Sequence, residues 1–341
     1  MQAIIDSTLF EQWWLDCLNV TQALTAQQKK YYHFGEAIFA IHFYHDDSCF
    51  FTQAIAHVEL TVNDTHDFQI DVIDGSIAKL PTWFITQHLT TLISHHFTVS
   101  DNQRFILHYQ KNTQVIQFID LASNRAVVWY AALSLLPAWE RSFPFRQILH
   151  HYFENTDYCL IHGAAVGIKG QGVLLTAKGG SGKSTAALAC LSKAWLYAGD
   201  DFVLYQTKTN TLYSLYNVAK LTPQQLTRFN GLQALSIAID NDMDKQQLFL
   251  YPPYQSQLIR KLTLTAIIVP RYEASTEMCQ LIPITAAHAL FCMAPSTLFL
   301  LNAKQDSFNK LAHLCKSIPT YQLNTNDQLD GIPLTLQTLL N

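Results

Sequence analysis

The chain has 341 residues, of which 49% are hydrophobic and 14% charged, a composition typical of a globular protein with two domains and untypical of a disordered one. Its formal net charge of −4 argues against a nucleic-acid partner, because nucleic-acid-binding domains usually carry a basic patch. The sequence contains no apolar run of the roughly 18 residues that a membrane span needs, and its acidic start does not match a signal peptide, so we expect a cytoplasmic protein.

The first third of the chain has the pattern of an α+β domain without a chemical motif. Apolar spacing predicts a helix within residues 1–28, and β-branched and aromatic runs predict strands through residues 31–74, Cys49–Val62 among them. A short helix is predicted over residues 81–97, and Phe105–Ala131 has the pattern of a hairpin followed by a third strand. Recognition of a substrate is the role that we expect for this domain.

The second part of the chain alternates between strand, loop and helix patterns. A helix over Trp139–Glu154 is predicted to join the two halves, followed by two strands within Thr156–Ala177. A helix over Ser184–Ala194 and a strand over Trp195–Leu204 come next. The predicted domains are residues 1–135, of α+β class, and residues 136–341, of α/β class.

The types of residue that bind metals form no motif. The seven cysteines are scattered without a C-x-x-C pair, which predicts buried, reduced thiols and neither a zinc site nor a disulfide framework. Fourteen histidines include the adjacent pairs His95-His96 and His150-His151. Neighbouring side chains diverge by about 100° around a helix, so we interpret both pairs as a bias of composition and not as joint metal ligands.

A glycine-rich stretch in the middle of the chain resembles a phosphate-binding loop. The usual pattern is G-x-x-x-x-G-K-[ST], and here a predicted strand, the turn KGGSG and a predicted helix follow in order, although Ala177 stands in the place of the first glycine. Glycines allow close approach of backbone N–H groups to an anion, the helix start adds its dipole, and lysine adds a charge. An alanine at the first position costs little where its φ is negative. The predicted nucleotide-binding residues are Gly179, Gly180, Ser181, Gly182, Lys183, Ser184 and Thr185.

Two carboxylates follow the loop at the end of the next predicted strand. Asp200 and Asp201 come 17 and 18 residues after Lys183. One aspartate beside a phosphate loop can hold Mg²⁺ while the other takes a proton from an attacking hydroxyl. The alternatives are an acidic turn for the aspartates and a core histidine for His162, which precedes the loop on another predicted strand.

These motifs together resemble the HPr kinase/phosphorylase catalytic domain, and more closely the HPr-kinase-related serine kinases, in which GGSGKST, ALACL and GDD occur in this order. The resemblance covers about residues 137–341 and implies a P-loop kinase domain with the fold of the HPr kinase type, related to phosphoenolpyruvate carboxykinase. It implies that ATP and Mg²⁺ bind at Gly182, Lys183 and Ser184 with help from Asp200, which assists the metal. It also implies that Asp201 is the base and that His162 orients it.

Two basic residues downstream are weaker candidates from the same resemblance. Lys220 falls where related kinases have a basic residue near the transferred phosphate, and Arg271 is a second residue of this kind. The E-x-R-G-x-G segment of the HPr kinase/phosphorylases has no match in residues 205–255, which leaves HPr as substrate and the reverse reaction open.

The sequence therefore predicts a Mg²⁺- and ATP-dependent kinase acting on a serine-type hydroxyl, most readily on a protein or peptide. A small-molecule kinase for free serine or another alcohol is one alternative. The other is a nucleotide-gated binding module without catalysis. A homo-oligomer is expected because the related kinases assemble.

Overall fold

The computed structural model describes residues 3–46, 48–61, 65–79, 96–110, 112–237, 245–301 and 303–340. These residues divide into two compact units. The first unit comprises Met1–Gln53 and Glu59–Ile148, and the second comprises Ala54–Val58 and Leu149–Asn341. In the described part of the chain, no helix has both the length and the apolar character needed to cross a membrane.

The first unit is built on a nine-stranded sheet in the order β1-β6-β7-β8-β9-β5-β3-β2-β4. Its strands are β1 (Ala3–Ile5), β2 (Gln28–Phe34), β3 (Ala37–Phe43), β4 (Glu59–Leu60), β5 (Phe68–Asp74), β6 (His96–Ser100), β7 (Phe105–Gln110), β8 (Val115–Asp120) and β9 (Arg125–Tyr130). Its helices are α1 (Ser7–Ala23), α2 (Ser48–Thr52) and α3 (Ala138–Ser142), with a 3₁₀ turn at Leu133–Leu135.

The core of this unit is aromatic. Helix α1 begins after Asp6, whose side chain accepts a hydrogen bond from the backbone N–H of Thr8 and so caps the helix. Phe10 of α1 stacks on Phe105 of β7 at 6.0 Å between ring centroids, and Trp14 meets Phe118 of β8 edge-on at 5.3 Å. Large rings at positions 10 and 14, one helical turn apart, therefore fix α1 on the sheet.

The second unit contains a larger mixed sheet in the order β10-β14-β15-β19-β12-β11-β13, extended by β21 beside β19 and by β20 beside β21. These strands are β10 (Tyr158–His162), β11 (Ala164–Ile168), β12 (Gln171–Leu175), β13 (Leu196–Gly199), β14 (Phe202–Gln206), β15 (Thr211–Ser214), β19 (Lys261–Tyr272), β20 (Gln280–Pro283) and β21 (Thr320–Thr325). Strands β12, β19 and β21 are parallel, and the other neighbours are antiparallel.

Among the described residues, a small three-stranded sheet and six helices complete this part of the chain. The small sheet consists of β16 (Val218–Leu221), β18 (Gln246–Phe249) and β17 (Ser236–Ile237) in that order. The helices are α4 (Arg146–Glu154), α5 (Lys183–Leu191), α6 (Pro223–Leu226), α7 (Ala286–Leu301), α8 (Gln305–Ser317) and α9 (Gly331–Gln337), with 3₁₀ turns at Gln53–Val58 and Gln233–Leu235.

Helix α5 lies against the large sheet because its side chains are small. Ala186, Ala187 and Ala189 are all buried, in one cluster with Val173 and Leu175 of β12. Small side chains let a helix backbone approach a sheet closely, and they are also good helix formers. The turn from β12 into α5 is thereby held in a fixed position, and the candidate site is built on this turn.

The structure confirms a mixed α/β protein with several sheets and corrects several predicted elements. Of the segment Cys49–Val62, predicted as strand, the described residues 49–60 lie in α2, a 3₁₀ turn and the short strand Glu59–Leu60. Ala54 and Ile55 are completely buried, so packing has overridden the strand propensity of this segment. The helix predicted over residues 81–97 falls mostly outside the described residues, but its last two positions belong to strand β6.

Three boundaries in the second part of the chain also differ from prediction. The helix predicted over Trp139–Glu154 is two helices, α3 and α4, with Pro144 in the break, where proline is unfavourable to a helix interior. Thr156–Ala177 holds three strands and not two, since the chain turns at Gly163 between β10 and β11. The strand predicted over Trp195–Leu204 is interrupted by the aspartate pair and resumes as β14.

Candidate functional site

The predicted phosphate loop connects the end of β12 to the start of α5. Gly180 has a φ of 78° and Gly182 a φ of 95°, in the left-handed region that favours glycine. A Cβ placed on Gly179, Gly180 or Gly182 would meet no atom within 4 Å, so the space beside each of these glycines is open. Ala177 does not have a positive φ. This is the condition under which an alanine costs little at the first position of the motif.

Lys183 is the first residue of α5, and its side chain is folded back over the loop. Its Nζ donates to the carbonyl oxygens of Ala177 at 2.9 Å and Lys178 at 3.2 Å. Burial lowers the pKa of Lys183, and the charges of Asp200 and Asp201 oppose that shift. The loop carbonyls therefore hold this amino group in place before any ligand is present.

The aspartate pair forms a tight turn between β13 and β14. Gly199 has a φ of 152° and Asp201 a φ of 61°, a left-handed conformation that is uncommon for a residue with a side chain. The turn is held by hydrogen bonds from the N–H of Asp201 to Oδ1 of Asp200 at 2.9 Å and from the N–H of Gly163 to the carbonyl of Asp201 at 3.0 Å. Unfavourable backbone geometry maintained in this way is often found at functional sites.

Asp200 is buried, and one of its carboxylate oxygens is unsatisfied. Its Oδ2 has no hydrogen-bond partner among the described residues. Burial raises the pKa of Asp200 to about 6, and the charge of Asp201 adds to the rise, whereas Ser184 and Lys183 lower it. A buried carboxylate oxygen close to the Ser184 hydroxyl is a suitable ligand for a hard cation.

Asp201 lies between two basic side chains from other strands. Its Oδ1 is 3.6 Å from Nε2 of His162, and its Oδ2 is 3.9 Å from Nζ of Lys220. Burial by itself raises the pKa of Asp201, but the contact with His162 and the charge of Lys220 outweigh it, so the pKa lies below the usual range. At neutral pH, Asp201 is therefore ionised and able to accept a proton.

His162 and Lys220 are themselves positioned by regular structure. His162 is the last residue of β10. Its backbone N–H donates to Oγ1 of Thr297 on α7 at 3.0 Å, and the centroid of its ring lies 5.6 Å from that of Phe202. Lys220 is in β16, in register with Gln247 of β18. Each is thus held by a strand and not by a loop.

The structure brings most of the predicted site residues together. Lys183, Ser184, Asp200, Asp201, His162 and Lys220 are linked by the contacts and charge interactions described above. Thr185 is buried in the first turn of α5. Arg271 is exposed near the end of β19, and no contact among the described residues joins it to the aspartate pair.

Two further residues lie near the candidate site, although no motif in the sequence points to them. The charge of Lys245 lowers the pKa of both Asp201 and Lys183, which places this lysine near the site. Thr297 fixes the backbone of His162 from a helix 135 residues further along the chain. Neither residue lies in a recognisable motif, so only the three-dimensional structure identifies them.

No protein-family model matches this chain, and no curated protein sequence matches it either. Among solved structures, the chain has a weak likeness to the HPr(Ser) kinase/phosphatase from Coxiella burnetii, with 14% sequence identity and a TM-score of 0.27. The likeness covers 53% of this chain and 92% of that one. At this identity and TM-score it establishes neither the fold nor the activity, so the function has to be argued from the site itself.

Proposed function

We propose that this protein is a Mg²⁺- and ATP-dependent kinase that phosphorylates a serine-type hydroxyl on a protein or peptide, and that residues 136–341 are a P-loop catalytic domain of the HPr kinase type. One observation carries the proposal. An ionised Asp201, in contact with His162 and Lys220, lies in the same charge cluster as Lys183 and the start of α5. A base next to a phosphate loop is the arrangement that phosphoryl transfer to a hydroxyl requires.

The residues present fit a magnesium nucleotide. The loop leaves open space where a Cβ at Gly179, Gly180 or Gly182 would otherwise project. Oδ2 of Asp200 and Oγ of Ser181 are buried polar atoms without a hydrogen-bond partner among the described residues. Gly179–Thr185 would hold the phosphates, with the charge of Lys183, and Ser184 and Asp200 would hold the metal. When bound, Mg-ATP would supply the phosphoryl group.

Asp201 is proposed to take the proton from the acceptor hydroxyl. Its contact with His162 holds one carboxylate oxygen, and Lys220 keeps the carboxylate ionised, so the base is in the correct protonation state before the acceptor arrives. Lys220 is also proposed to place positive charge near the transferred group. The roles of His162 and Lys220 are positioning and electrostatic support.

The first domain is proposed to recognise the acceptor. Its sheet ends in the strands β1 and β4, and an extended peptide can add to the edge of a sheet through main-chain hydrogen bonds. This assignment accounts for a protein or peptide acceptor in preference to free serine.

Nucleotide binding is the first test. The purified full chain is titrated with a non-hydrolysable ATP analogue and Mg²⁺, and saturable binding is expected that Lys183→Ala abolishes. Lys193→Ala is a matched control, because Lys193 follows the same helix but pairs at the surface with Asp330 at 3.1 Å. Absence of binding to the wild-type chain up to millimolar nucleotide contradicts the phosphate-loop assignment.

Transfer is the second test and separates the alternatives. Radiolabelled ATP is offered with a library of serine-containing peptides, with free serine and other small alcohols, or with no acceptor. Label on peptides supports the proposal, and label on free serine alone supports a small-molecule kinase. Tight nucleotide binding without any transfer supports a binding module.

A further inference from the structure

A second cluster of titratable side chains lies on α4, outside the proposed catalytic site. His150, His151 and Glu154 each offer one potential ligand atom, and these atoms all lie within 4.8 Å of one another. Nε2 of His150 is 3.7 Å from Oε1 of Glu154, and Nδ1 of His151 is 3.7 Å from Oε2 of the same residue. All three side chains are almost completely buried.

The helix explains why two adjacent histidines can converge. His150 and Glu154 are four residues apart and His151 and Glu154 three apart, so both histidines face the glutamate across one helical turn. His150 uses the far nitrogen of its ring and His151 the near one, which compensates for their different directions from the backbone. The two ring centroids are 4.9 Å apart. The pair is therefore more than a bias of composition, since the two rings reach one carboxylate through different nitrogens.

One atom of the cluster is unsatisfied. Nε2 of His150 makes no hydrogen bond to any described residue, and only 3% of the His150 side chain is exposed. A buried polar atom without a partner is costly and uncommon in native proteins. Because this nitrogen lies 3.7 Å from Oε1 of Glu154, a cation bound by both atoms would satisfy it.

We infer that His150, His151 and Glu154 form a binding site for a divalent transition-metal ion of the Zn²⁺ class. Two imidazole nitrogens and one carboxylate are a ligand set that proteins use for zinc with a fourth position left for water. With metal–ligand bonds of about 2.0–2.2 Å, tetrahedral ligands lie about 3.3–3.5 Å apart. The two observed 3.7 Å contacts are close to this spacing, and binding would draw together ligand atoms that now lie up to 4.8 Å apart. Mg²⁺ and Ca²⁺ prefer oxygen ligands and are not expected here.

Lys304 competes with the proposed metal ion. Its Nζ is 3.7 Å from Oε2 of Glu154, and its backbone N–H donates to Oε1 at 2.8 Å. The Lys304 side chain is 43% exposed and can turn into solvent, which would free Oε2 of Glu154. The ammonium group and a metal ion would be two positive charges at one carboxylate, so binding of the metal should displace the side chain of Lys304.

Cobalt binding to the full chain tests the inference directly. The protein is treated with a chelator, dialysed and titrated with Co²⁺, whose visible absorption reports low-coordinate nitrogen and oxygen ligands. We expect saturable binding of one ion per chain, displaced by Zn²⁺ and not by a large excess of Mg²⁺. If the wild-type chain binds no Co²⁺ saturably, or if Mg²⁺ displaces it, the inference is overturned. The readout does not depend on nucleotide binding or kinase activity.

Three variants locate the ion. His150→Gln should weaken Co²⁺ binding by more than about 100-fold, since changes that only touch a ligand's neighbours cost about 10–100-fold. His288→Gln, at an exposed histidine of α7, is the control and should leave binding unchanged. Lys304→Met should tighten binding, because it removes the competing charge from a half-exposed position where the fold tolerates it. If His150→Gln does not fold, the Lys304→Met result decides, and unchanged or weaker binding in that variant overturns the inference.

Discussion

Asp71 in the first unit and Asp200 in the second are both buried, but their carboxylates have very different surroundings. Asp71 accepts hydrogen bonds from Nε of Arg125 at 2.6 Å, from Nε2 of Gln69 at 2.9 and 3.1 Å and from the Tyr44 hydroxyl at 3.1 Å, with Nδ1 of His42 at 3.5 Å. Burial alone would raise the pKa of Asp71, but these partners outweigh it and the pKa is lowered.

Asp200 has one hydrogen bond at Oδ1, and among the described residues Oδ2 has none. Its pKa is raised to about 6 by burial and by Asp201. The folded state therefore favours the charge of Asp71 and disfavours that of Asp200. A buried carboxylate with several hydrogen-bond donors stabilises its unit when charged, whereas one with an unsatisfied oxygen costs stability, and the latter is the one that we propose as a metal ligand.

The largest effect is expected at Asp201, the partner of Asp200 in the turn. Asn keeps the shape of Asp but cannot take a proton, so Asp201→Asn should slow transfer to the acceptor by about 10²–10⁴-fold. Nucleotide affinity should change less, since Lys183, Ser184 and Asp200 remain. Single-turnover transfer with saturating nucleotide measures the effect.

Asp330→Asn is the control for this substitution, because Asp330 is an exposed aspartate that pairs with Lys193. Transfer at the wild-type rate in Asp201→Asn would mean that Asp201 is not the base, and His162 would then have to be considered for that role. Asp200→Asn should act differently and raise the Mg²⁺ concentration needed, because it removes a charged metal ligand.

The two buried aspartates should respond to neutralisation with opposite signs. At pH 7, Asp71→Asn should destabilise the first unit by about 2–3 kcal/mol, because hydrogen bonds to a charged group are lost. Asp200→Asn should stabilise the second unit at pH 7 by an amount on the order of 3 kcal/mol, from the difference between a pKa of about 6 and the ordinary Asp value of about 4.

The stability contributions of the two aspartates should also change with pH in opposite directions. The stability that Asp71 contributes is present above the ordinary Asp pKa and is lost as the pH falls, because its folded-state pKa is lowered. For Asp200 the contribution is present below about pH 4 and is lost as the pH rises through about 6. Hydrogen exchange at pH 7 and below pH 4, read separately for peptides of each unit, measures both. A loss of stability in Asp200→Asn at pH 7 without nucleotide would contradict the comparison.

A smaller effect is expected when the partners of Asp201 are removed. Lys220→Met and His162→Asn each delete a group that lowers the pKa of Asp201. The acid limb of the pH–rate profile should therefore move to higher pH. Asp201 stays ionised at pH 7 in both variants, so transfer there should fall about tenfold through the loss of positioning and of positive charge near the site, the equivalent of about 1.4 kcal/mol. Lys193→Met is the matched control. An acid limb that stays in place would show that another group sets it.

The difference between the two aspartates could not have been predicted from the sequence. The strand, glycine-rich turn and helix around Lys183 were predictable because they are adjacent in the chain, from the strand before Ala177 to the helix that begins at Lys183. Gln69 is a local partner of Asp71 on the same strand, but the partners at positions 42, 44 and 125 are brought to it only by the pairing of β3 with β5 and of β5 with β9. Whether every oxygen of a buried carboxylate has a hydrogen-bond partner depends on such non-local contacts.

The same limit applies to the elements that were predicted wrongly. The composition of Cys49–Val62 is typical of a strand. Within it, however, Gln53–Val58 forms a 3₁₀ turn in which Ala54 and Ile55 are buried. Around the site, the resemblance to a kinase family suggested His162 and Lys220, whereas Thr297 and Lys245 come from distant segments without a pattern. Motif residues that are adjacent in this sequence can therefore be predicted from it. The residues from distant segments that position them or shift their pKa cannot.

The smallest effect is expected at Ala177, the one departure from the phosphate-loop pattern. Its carbonyl accepts the hydrogen bond from Nζ of Lys183 at 2.9 Å, a contact that glycine would make equally well. Because Ala177 is not among the residues with positive φ, the substitution Ala177→Gly relieves no strain and mainly adds freedom to the unfolded chain. We expect a loss of up to about 1 kcal/mol in stability and unchanged nucleotide affinity. Thermal unfolding and titration with an ATP analogue measure the two quantities, and a tenfold gain in affinity would show instead that alanine impairs the site.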